Sequence, residues 1–413
     1  MQGLFMVPER VIFHIDVNSA YLSWEALELL KQGSNIDLRT VPSIVAGDPS
    51  KRRGVVLAKS IPAKKYGIIT GEPVVKAVKK CPAVKIVPPS HDVYARYSKA
   101  MTDLLYSFTP DIEKYSIDEC FIDVTGLKLK YKNDFLSLAY LMKNRIRDEL
   151  GFTVNIGISE NKLLAKMASD FKKPDRVHTL FREEIQEKMW PLPVSRLFMV
   201  GKASNAKFQV MGIKTIGDLA RTDVVLLEQK FGKYGRMIWE YANGIDDSAV
   251  QTQESEAKDL SNETTVEFDI TDRETARLYL LSLSETVGMR LRKAGLYAGV
   301  IAVNLKNSNF ESYSRRKKIG NPTQDTNVIF KTAIELFDTV WRNDPIRLIG
   351  VATSELVREP VEQLNMFDNL LIKQSERKKL NESIDKIREK YGSKYIVRGS
   401  LLNFSKDSNK DTE

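Results

Sequence analysis

Hydrophobic and polar positions along the chain switch repeatedly between a period of two and a period near 3.6. Val11–Asp16 (VIFHID) is a run of β-branched and aromatic residues closed by an acid, which predicts a buried strand. Asn18 or Ser19 can then cap a helix in which Tyr21, Leu22, Trp24, Leu27, Leu29 and Leu30 recur as far as Lys31, with Gly33 as its stop. A β-rich basic segment, Gly54–Gly67, follows. Helical patterning returns over Asp92–Phe108, and a single strand-like element is expected over Lys114–Gly126. A helix (Ser137–Leu150), a strand (Phe152–Ile158) and a helix (Asn161–Phe171) complete an α/β unit.

Beyond Val177 the pattern turns helical and glycine-punctuated, with Val200-Gly201-Lys202 and Met211-Gly212-Ile213 as related signatures. Asp246–Asp259 lacks an apolar period and is rich in acids, Gln and Ser, so a solvated linker and a domain boundary are expected there. After it, a strand (Thr264–Asp269), a helix (Glu274–Ala294), strands (Tyr297–Lys306 and Glu311–Ile319), a helix (Thr326–Trp341) and a strand (Arg347–Thr353) read as a β-α-β-β-α-β unit. The tail from Arg358 holds one amphipathic helix over about 370–391, with Leu380, Ile384, Ile387 and Tyr391 along one face.

A length of 413 residues fits several domains in series rather than one core. Apolar runs stay far below the roughly 20 residues of a membrane span, and no secretory signal opens the sequence, so a cytoplasmic protein without membrane attachment is expected. Two cysteines, Cys81 and Cys120, and three scattered histidines exclude a disulfide framework and leave any metal chemistry to carboxylates. The net charge of +9 suits a polyanionic partner, as it also suits many basic proteins without one.

Three acids stand out. Asp16 ends one buried strand, while Asp118 and Glu119 lie in an apolar run beside Ile117 and Cys120-Phe121-Ile122. Desolvated carboxylates must be protonated, paired or bound to a cation, and hard oxygen donors in a sequence poor in His and Cys favour Mg²⁺. On a flat strand Asp118 and Glu119 would face opposite sides, so they converge only if the chain bends there. A strand-terminal Asp acting as cap or salt-bridge partner is the alternative.

HIDVNSAY (His14–Tyr21), YSIDECFIDVTG (Tyr115–Gly126), GISENKLLAKMASDFKKP (Gly157–Pro174), the glycine elements at Gly201 and Gly212, and RLIGV (Arg347–Val351) together resemble, in order, the Y-family translesion DNA polymerases, nearest to the DNA polymerase IV branch. The tail beyond is similar to that of Gram-positive UmuC-like relatives. The resemblance implies a right-hand polymerase of the α/β multidomain class. Its parts would be a ferredoxin-like palm (1–18 and 85–179), small fingers (19–84), a helix-hairpin-helix thumb (180–245), the linker (246–259), a β-α-β-β-α-β little finger (260–357) and a tail (358–413). It implies a monomer that extends a primer on template DNA with deoxynucleoside triphosphates, error-prone and without proofreading.

By that resemblance two Mg²⁺ ions would be held by Asp16, Asp118, Glu119 and the carbonyl of Val17, and the three acids would be catalytic. By the resemblance Tyr21 would be the steric gate against the ribose 2′-hydroxyl, whereas the residues alone favour a helix-start aromatic packing beside Leu22 and Trp24. The amides of Asn18, Ser19 and Ala20, with Lys64 and Lys173, would hold the triphosphate. Many polymerase IV-like proteins have Tyr and Arg where this chain has Ile61 and Lys64, and lysine lacks the guanidinium fork.

Gly201, Lys202 and Gly212 suit contact with DNA phosphates, though helix-terminating glycines look similar. Ser284–Gly320 carries eight basic residues against two acids, among them Arg290, Arg292, Lys293, Arg315, Arg316, Lys317 and Lys318, a duplex-tracking surface if not merely a solvated face. Gln363-Leu364-Asn365-Met366-Phe367 resembles the peptide by which bacterial polymerases hold the sliding clamp, with Gln363, Leu364, Met366 and Phe367 as anchors. Two other classes stand beside this one: a catalytically silent, clamp-tethered DNA-binding protein, and a palm-like nucleotide cyclase or nuclease.

Overall fold

The computed structural model of the chain describes residues 10–48, 54–253, 256–358, 370–392 and 395–402. They form two compact units that divide between residues 254 and 255. In the first, β1 (Ile12–Val17) leads into α1 (Ala20–Lys31), then β2 (Ser43–Ala46), β3 (Val56–Lys59), α2 (Ile61–Lys64), α3 (Val74–Lys80), β4 (Lys85–Val87), α4 (His91–Tyr106), β5 (Ile112–Lys114), β6 (Glu119–Asp123), α5 (Phe135–Arg145), β7 (Val154–Ser159), α6 (Lys162–Ser169) and β8 (Val177–Thr179).

The main sheet has the order β5-β6-β1-β7-β8, with β1 antiparallel to both neighbours. The first four of these strands, in chain order β1, β5, β6, β7, are the ferredoxin-like arrangement, and β8 extends it in parallel with β7. Central β1 is buried along its whole length because both faces are covered. Phe13, Ile15 and Val17 join Tyr94, Met101, Leu105, Leu138 and Met142 in one core, while Ile12, His14 and Asp16 face α6. That helix lies against the backbone of β7: a Cβ on Gly157 would stand 1.9 Å from the carbonyl oxygen of Ala165, so only glycine fits. The small sheet β3-β2-β4 carries α2 and α3 over a separate core.

The expected single strand over Lys114–Gly126 is two strands, β5 and β6, joined by a tight turn at Tyr115–Asp118. After β8 come α7 (Lys202–Val210), α8 (Ile216–Arg221), α9 (Val224–Phe231) and α10 (Lys233–Ala242), gathered around Phe208, Ile216, Leu219, Leu227 and Ile238. α7 and α8 form a helical hairpin whose turn includes Gly212 at φ 78°, the one glycine of the pair that needs its freedom; Gly201 has φ −83°.

The acidic segment after Gly244 is not freely solvated at its start. Asp246 accepts from the amide of Leu163, Asn161 donates to the carbonyl of Gly244, and the amide of Gln251 donates to Glu113. Residues 246–253 therefore belong to the first unit, and the far end of the expected linker is already strand.

In the second unit β9 (Asp259–Ile270), α11 (Arg273–Ala294), β10 (Tyr297–Asn307), β11 (Ser312–Thr323), α12 (Thr326–Val340) and β12 (Ile346–Val357) follow the expected β-α-β-β-α-β order. The sheet order is β11-β10-β12-β9, so the inner strands are the second and fourth, whereas the ferredoxin-like sheet places the first and third inside. α13 (Leu370–Tyr391) turns its polar side inward: Asn381 is buried and Asp385 pairs with Arg292 at 2.5 Å. Leu380, Ile387 and Tyr391, on the apolar face, are exposed.

Candidate active site

The site grows from the strand register. Asp16 lies opposite Glu119 of β6 and Asn155 of β7, so two acids distant in sequence share one sheet face. Asp118 escapes the alternation of the strand because the chain bends before β6 begins. There the amide of Val17 donates to the carbonyl of Asp118 at 3.0 Å, and the Ser116 hydroxyl donates to its carboxylate at 2.8 Å.

Asp16, Val17 and Asp118 line a cleft of about 460 Å³ together with Asn18, Ser19, Ala20, Tyr21, Lys59, Lys64 and Lys173. Glu119 is not part of that lining. It turns toward α6, where the Lys166 ammonium donates to it at 2.6 Å.

The turn into α1 is built for open amides. Ser19 has φ 51° and ψ 50°, a left-handed conformation costly for serine, and its hydroxyl makes no capping bond. The amide of Asn18 is already donated to the carbonyl of Thr153, so among the expected phosphate-holding amides it is not free. Among the described residues those of Ser19 and Ala20 are open, together with those of Tyr21 and Leu22, since the first amide to be accepted at this end is that of Ser23. Tyr21 stacks on Tyr94 with ring centroids 4.3 Å apart, and Tyr94 is itself held by a hydrogen bond to Glu25 at 2.5 Å. Burial, and then the charge of Asp118, push the Tyr21 phenol up. The packing and cleft-lining readings of Tyr21 thus hold together.

Asp16 and Glu119 each have a lysine partner. Lys173 reaches Asp16 at 2.9 Å and Asp170 at 2.8 Å. Burial pushes Asp16 up to about 7 despite the pull of Lys173, with the neighbouring charge of Glu119 adding to the rise. Burial also works against the charged form of Lys173, but Asp16 and Asp170 outweigh it and move the ammonium upward. For Glu119 burial again opposes ionisation, yet the neighbouring His14 and the hydrogen bond and charge of Lys166 hold it well below the usual carboxylate range. Burial lowers His14, which is fully enclosed.

Among the described residues no three His, Cys, Asp or Glu side chains converge on one point closely enough to hold a metal ion. The donor chemistry is nonetheless that of a hard divalent cation. It consists of two carboxylates on one cleft, a backbone segment between strand and helix, and a buried Asn18 Oδ1 without a hydrogen-bond partner.

Sequence reasoning missed Lys166, Asp170 and Tyr94, read Lys59 only as part of the basic segment, and gave His14 no part in the site. Lys166 had a readable signal, a charged residue one turn after Lys162 on a helix otherwise dense in apolar side chains.

The remaining expected contacts are scattered. Gly201, Lys202 and Gly212 are exposed at the α7–α8 hairpin. Arg292 is a correction: its guanidinium is bound to Asp385, the carbonyl of Gln324 and Thr326, with its side chain only 9% exposed, so it is not offered to DNA. Arg290 donates to the carbonyl of Ser261, and Lys293 pairs loosely with Glu389. The run on edge strand β11 divides between two faces. Arg315 and Lys317 lie opposite buried Val303 and Ile301, on the side of α11 and α12, while Arg316 and Lys318 point the other way. Lys317 pairs with Glu335 and Lys318 with Glu355. Gln363, Leu364, Met366 and Phe367 lie outside the described residues.

A ferredoxin-like sheet presenting acids to a cleft, with a helical hairpin module downstream, is the design of a palm-type nucleotidyltransferase. The model of the impB/mucB/samB family matches residues 15–170, that of its C-terminal domain matches 257–366, and that of a DNA polymerase-iota thumb domain matches 196–246. The chain is 50% identical over 394 residues to a DNA polymerase IV of Clostridium acetobutylicum, covering 95% of this chain and 98% of that one. It is 39% identical over 406 residues to a DNA polymerase IV of Clostridium kluyveri, covering 96% and 100%. Among solved structures, a Y-family DNA polymerase chimera superposes with a TM-score of 0.73 at 22% identity, over 84% of this chain and all (100%) of the other. The chain belongs to the Y family of translesion DNA polymerases, among its DNA polymerase IV members.

Proposed function

We propose that the cleft between Asp16, Asp118 and Tyr21 is where this polymerase joins a deoxynucleoside triphosphate to the primer 3′-hydroxyl on template DNA. The observation that carries the reading is the meeting of Asp16 and Asp118, remote in sequence, on one cleft beside open helix amides and lysines. Asp16, Asp118, Glu119 and the Val17 carbonyl would hold two Mg²⁺ ions. When bound, such ions activate the attacking hydroxyl and neutralise charge on the triphosphate.

The chain's own residues do the rest. The open amides of Ser19 and Ala20 and the ammonium groups of Lys64 and Lys173 receive phosphate oxygens, and Lys173 exchanges a carboxylate partner for a phosphate. Tyr21, braced by Tyr94, fills the space a 2′-hydroxyl would need. Point-charge lysines at 59 and 64 hold the triphosphate without the geometry of a guanidinium fork.

In the same reading, residues 1–18 and 85–179 are the palm, 19–84 the fingers, 180–245 the thumb and 260–357 the little finger. Gly201, Lys202, Gly212, Arg290, Lys293, Arg315, Arg316, Lys317 and Lys318 would meet DNA backbone, and the 363–367 peptide a sliding clamp. The enzyme would act as a monomer in the bacterial cytoplasm. Among the described residues no helix is long and apolar enough to cross a membrane.

Primer extension on undamaged and lesion-bearing templates tests the proposal. Asp118→Ala and Asp16→Ala should each abolish extension while leaving duplex affinity nearly unchanged, because backbone phosphate contacts dominate binding. Wild-type extension by Asp118→Ala would overturn the site assignment.

A further inference from the structure

Lys166 is a buried cation that no step of the proposed chemistry uses, yet it makes the shortest contact to any of the three acids. Its side chain is 11% exposed and its Nζ lies 2.6 Å from Glu119 Oε2. The remaining directions of the ammonium are also filled. His14 Nε2 lies 3.4 Å away, and the rings of Tyr115 and Phe198 lie 5.1 and 5.5 Å from Nζ to their centroids.

The proton on His14 can be placed from its other side. Ser169 donates its hydroxyl hydrogen to the carbonyl of Lys166 at 2.8 Å, so its oxygen is left as the acceptor for His14 Nδ1, also at 2.8 Å. Nδ1 therefore carries the hydrogen, and Nε2 presents a lone pair. A lone pair 3.7 Å from Glu119 Oε2 cannot hold a carboxylate by itself. Lys166 supplies the hydrogens to both, so His14 aims Lys166 and Lys166 aims Glu119.

Phe198 gives this cluster its reach. It precedes the α7–α8 hairpin and stacks on Tyr241 of α10 at 6.3 Å and 18°. One ammonium thus joins an acid at the first residue of β6 to aromatic side chains of the helical module.

We propose that Lys166 is the positioning residue for Glu119, clamping one carboxylate oxygen so that the other is presented in a fixed direction, with Phe198 and Tyr115 holding the clamp shut. This rests on the assignment of Glu119 to the polymerase site. A bound metal would meet an acid whose aim is set in advance, and the ammonium would stay in place rather than be displaced.

The test uses the full chain with Lys166→Met, Lys166→Arg and Phe198→Leu. Far-UV circular dichroism and duplex affinity serve as controls for folding, and Mn²⁺ binding by electron paramagnetic resonance is read alongside steady-state extension. Lys166→Met should lower kcat at least tenfold, leave KM for the nucleotide and duplex affinity within about threefold, and weaken Mn²⁺ binding several-fold. Lys166→Arg should recover part of kcat, and Phe198→Leu should lower it in the same direction by less. Should Lys166→Met fail to fold, Phe198→Leu decides through the same kcat and Mn²⁺ readings.

Tighter Mn²⁺ binding without Lys166 would make it a displaceable counter-ion and overturn the proposal, as would wild-type kcat and Mn²⁺ binding in a folded Lys166→Met. Either result beside an inactive Asp118→Ala leaves the site assignment standing. An active Asp118→Ala would instead remove the foundation of both.

Discussion

At the scale of single residues, the cleft trades stability for chemistry, and Asp16 shows the exchange most directly. Its carboxyl is raised from the ordinary 3.8 to about 7, chiefly by burial. Between those values the folded chain keeps a proton that the unfolded chain has released. Stability therefore falls as pH rises from about 4 to 7 and stays reduced above that. Asp16→Asn is isosteric and carries no charge at any of these pH values. In the absence of divalent metal it should match wild type near pH 4 and melt higher above pH 7, by about 2–4 °C for each kcal/mol gained. Added Mg²⁺ should raise the Tm of wild type and leave that of the variant unchanged. A melting difference that does not vary between pH 4 and 8 would show that Lys173, not burial, decides the charge of Asp16. The three acids were legible because carboxylates in apolar runs demand a partner. Lys173 was named as a cation of the site, but its pairing with Asp16 and the whole role of Lys166 were not legible, since a lysine's partner depends on which helix face meets the sheet, and one sequence does not state that register.

At the scale of elements, α6 decides the site. Its N-terminus receives the end of the thumb region through Asn161 and Leu163, its middle carries Lys166, and just beyond its end lies Lys173. All of this depends on close contact with β7 at Gly157. Gly157→Ala puts a methyl group into backbone that cannot give way as a flexible side chain would. It should cost roughly 1–3 kcal/mol or more, as overpacking does, and shift α6 relative to the acids. Urea denaturation should show the lost stability, and extension should fall further than the folded fraction explains. Activity that only tracks the folded fraction would mean that the site tolerates a displaced α6. Long periodic elements such as α4, α11 and β10 were readable from their patterns. The β5–β6 turn was not, because Ser116 and Asp118 carry a turn in the middle of a run whose composition reads as strand. α13 was legible as a helix from its apolar stripe, but which face turns inward was not, because the ion pairs from Asp385 and Arg388 to Arg292 and Glu285 draw the polar side inward.

At the scale of the whole molecule, the question is where the first unit lets go of the chain that leads to the second. Composition placed a linker at 246–259, since acids, Gln and Ser without an apolar period cannot build a core of their own. Polar residues can still dock on existing structure. Here Glu113 of β5 binds Lys162 through both carboxylate oxygens, at 2.7 and 2.8 Å, and accepts the amide of Gln251 at 2.7 Å. Arg10 adds a bond to the carbonyl of Ser248. With the Lys162 and Glu113 side chains only 13% and 14% exposed, the pair is screened far less than a surface ion pair. Its charge-assisted bonds contribute on the order of 1–3 kcal/mol. Glu113→Gln keeps the size and an acceptor oxygen but removes the charge, so Gln251 should release more often and Lys162 should lose its counter-ion. Limited proteolysis of the full chain should then cut within 246–253 several times faster than in wild type, while the melting of the β1–β7 core falls by at most that same amount. An unchanged cleavage rate would place the hold on 246–253 with Asp246 and Arg10, and Glu113 would be left as a partner for Lys162 alone.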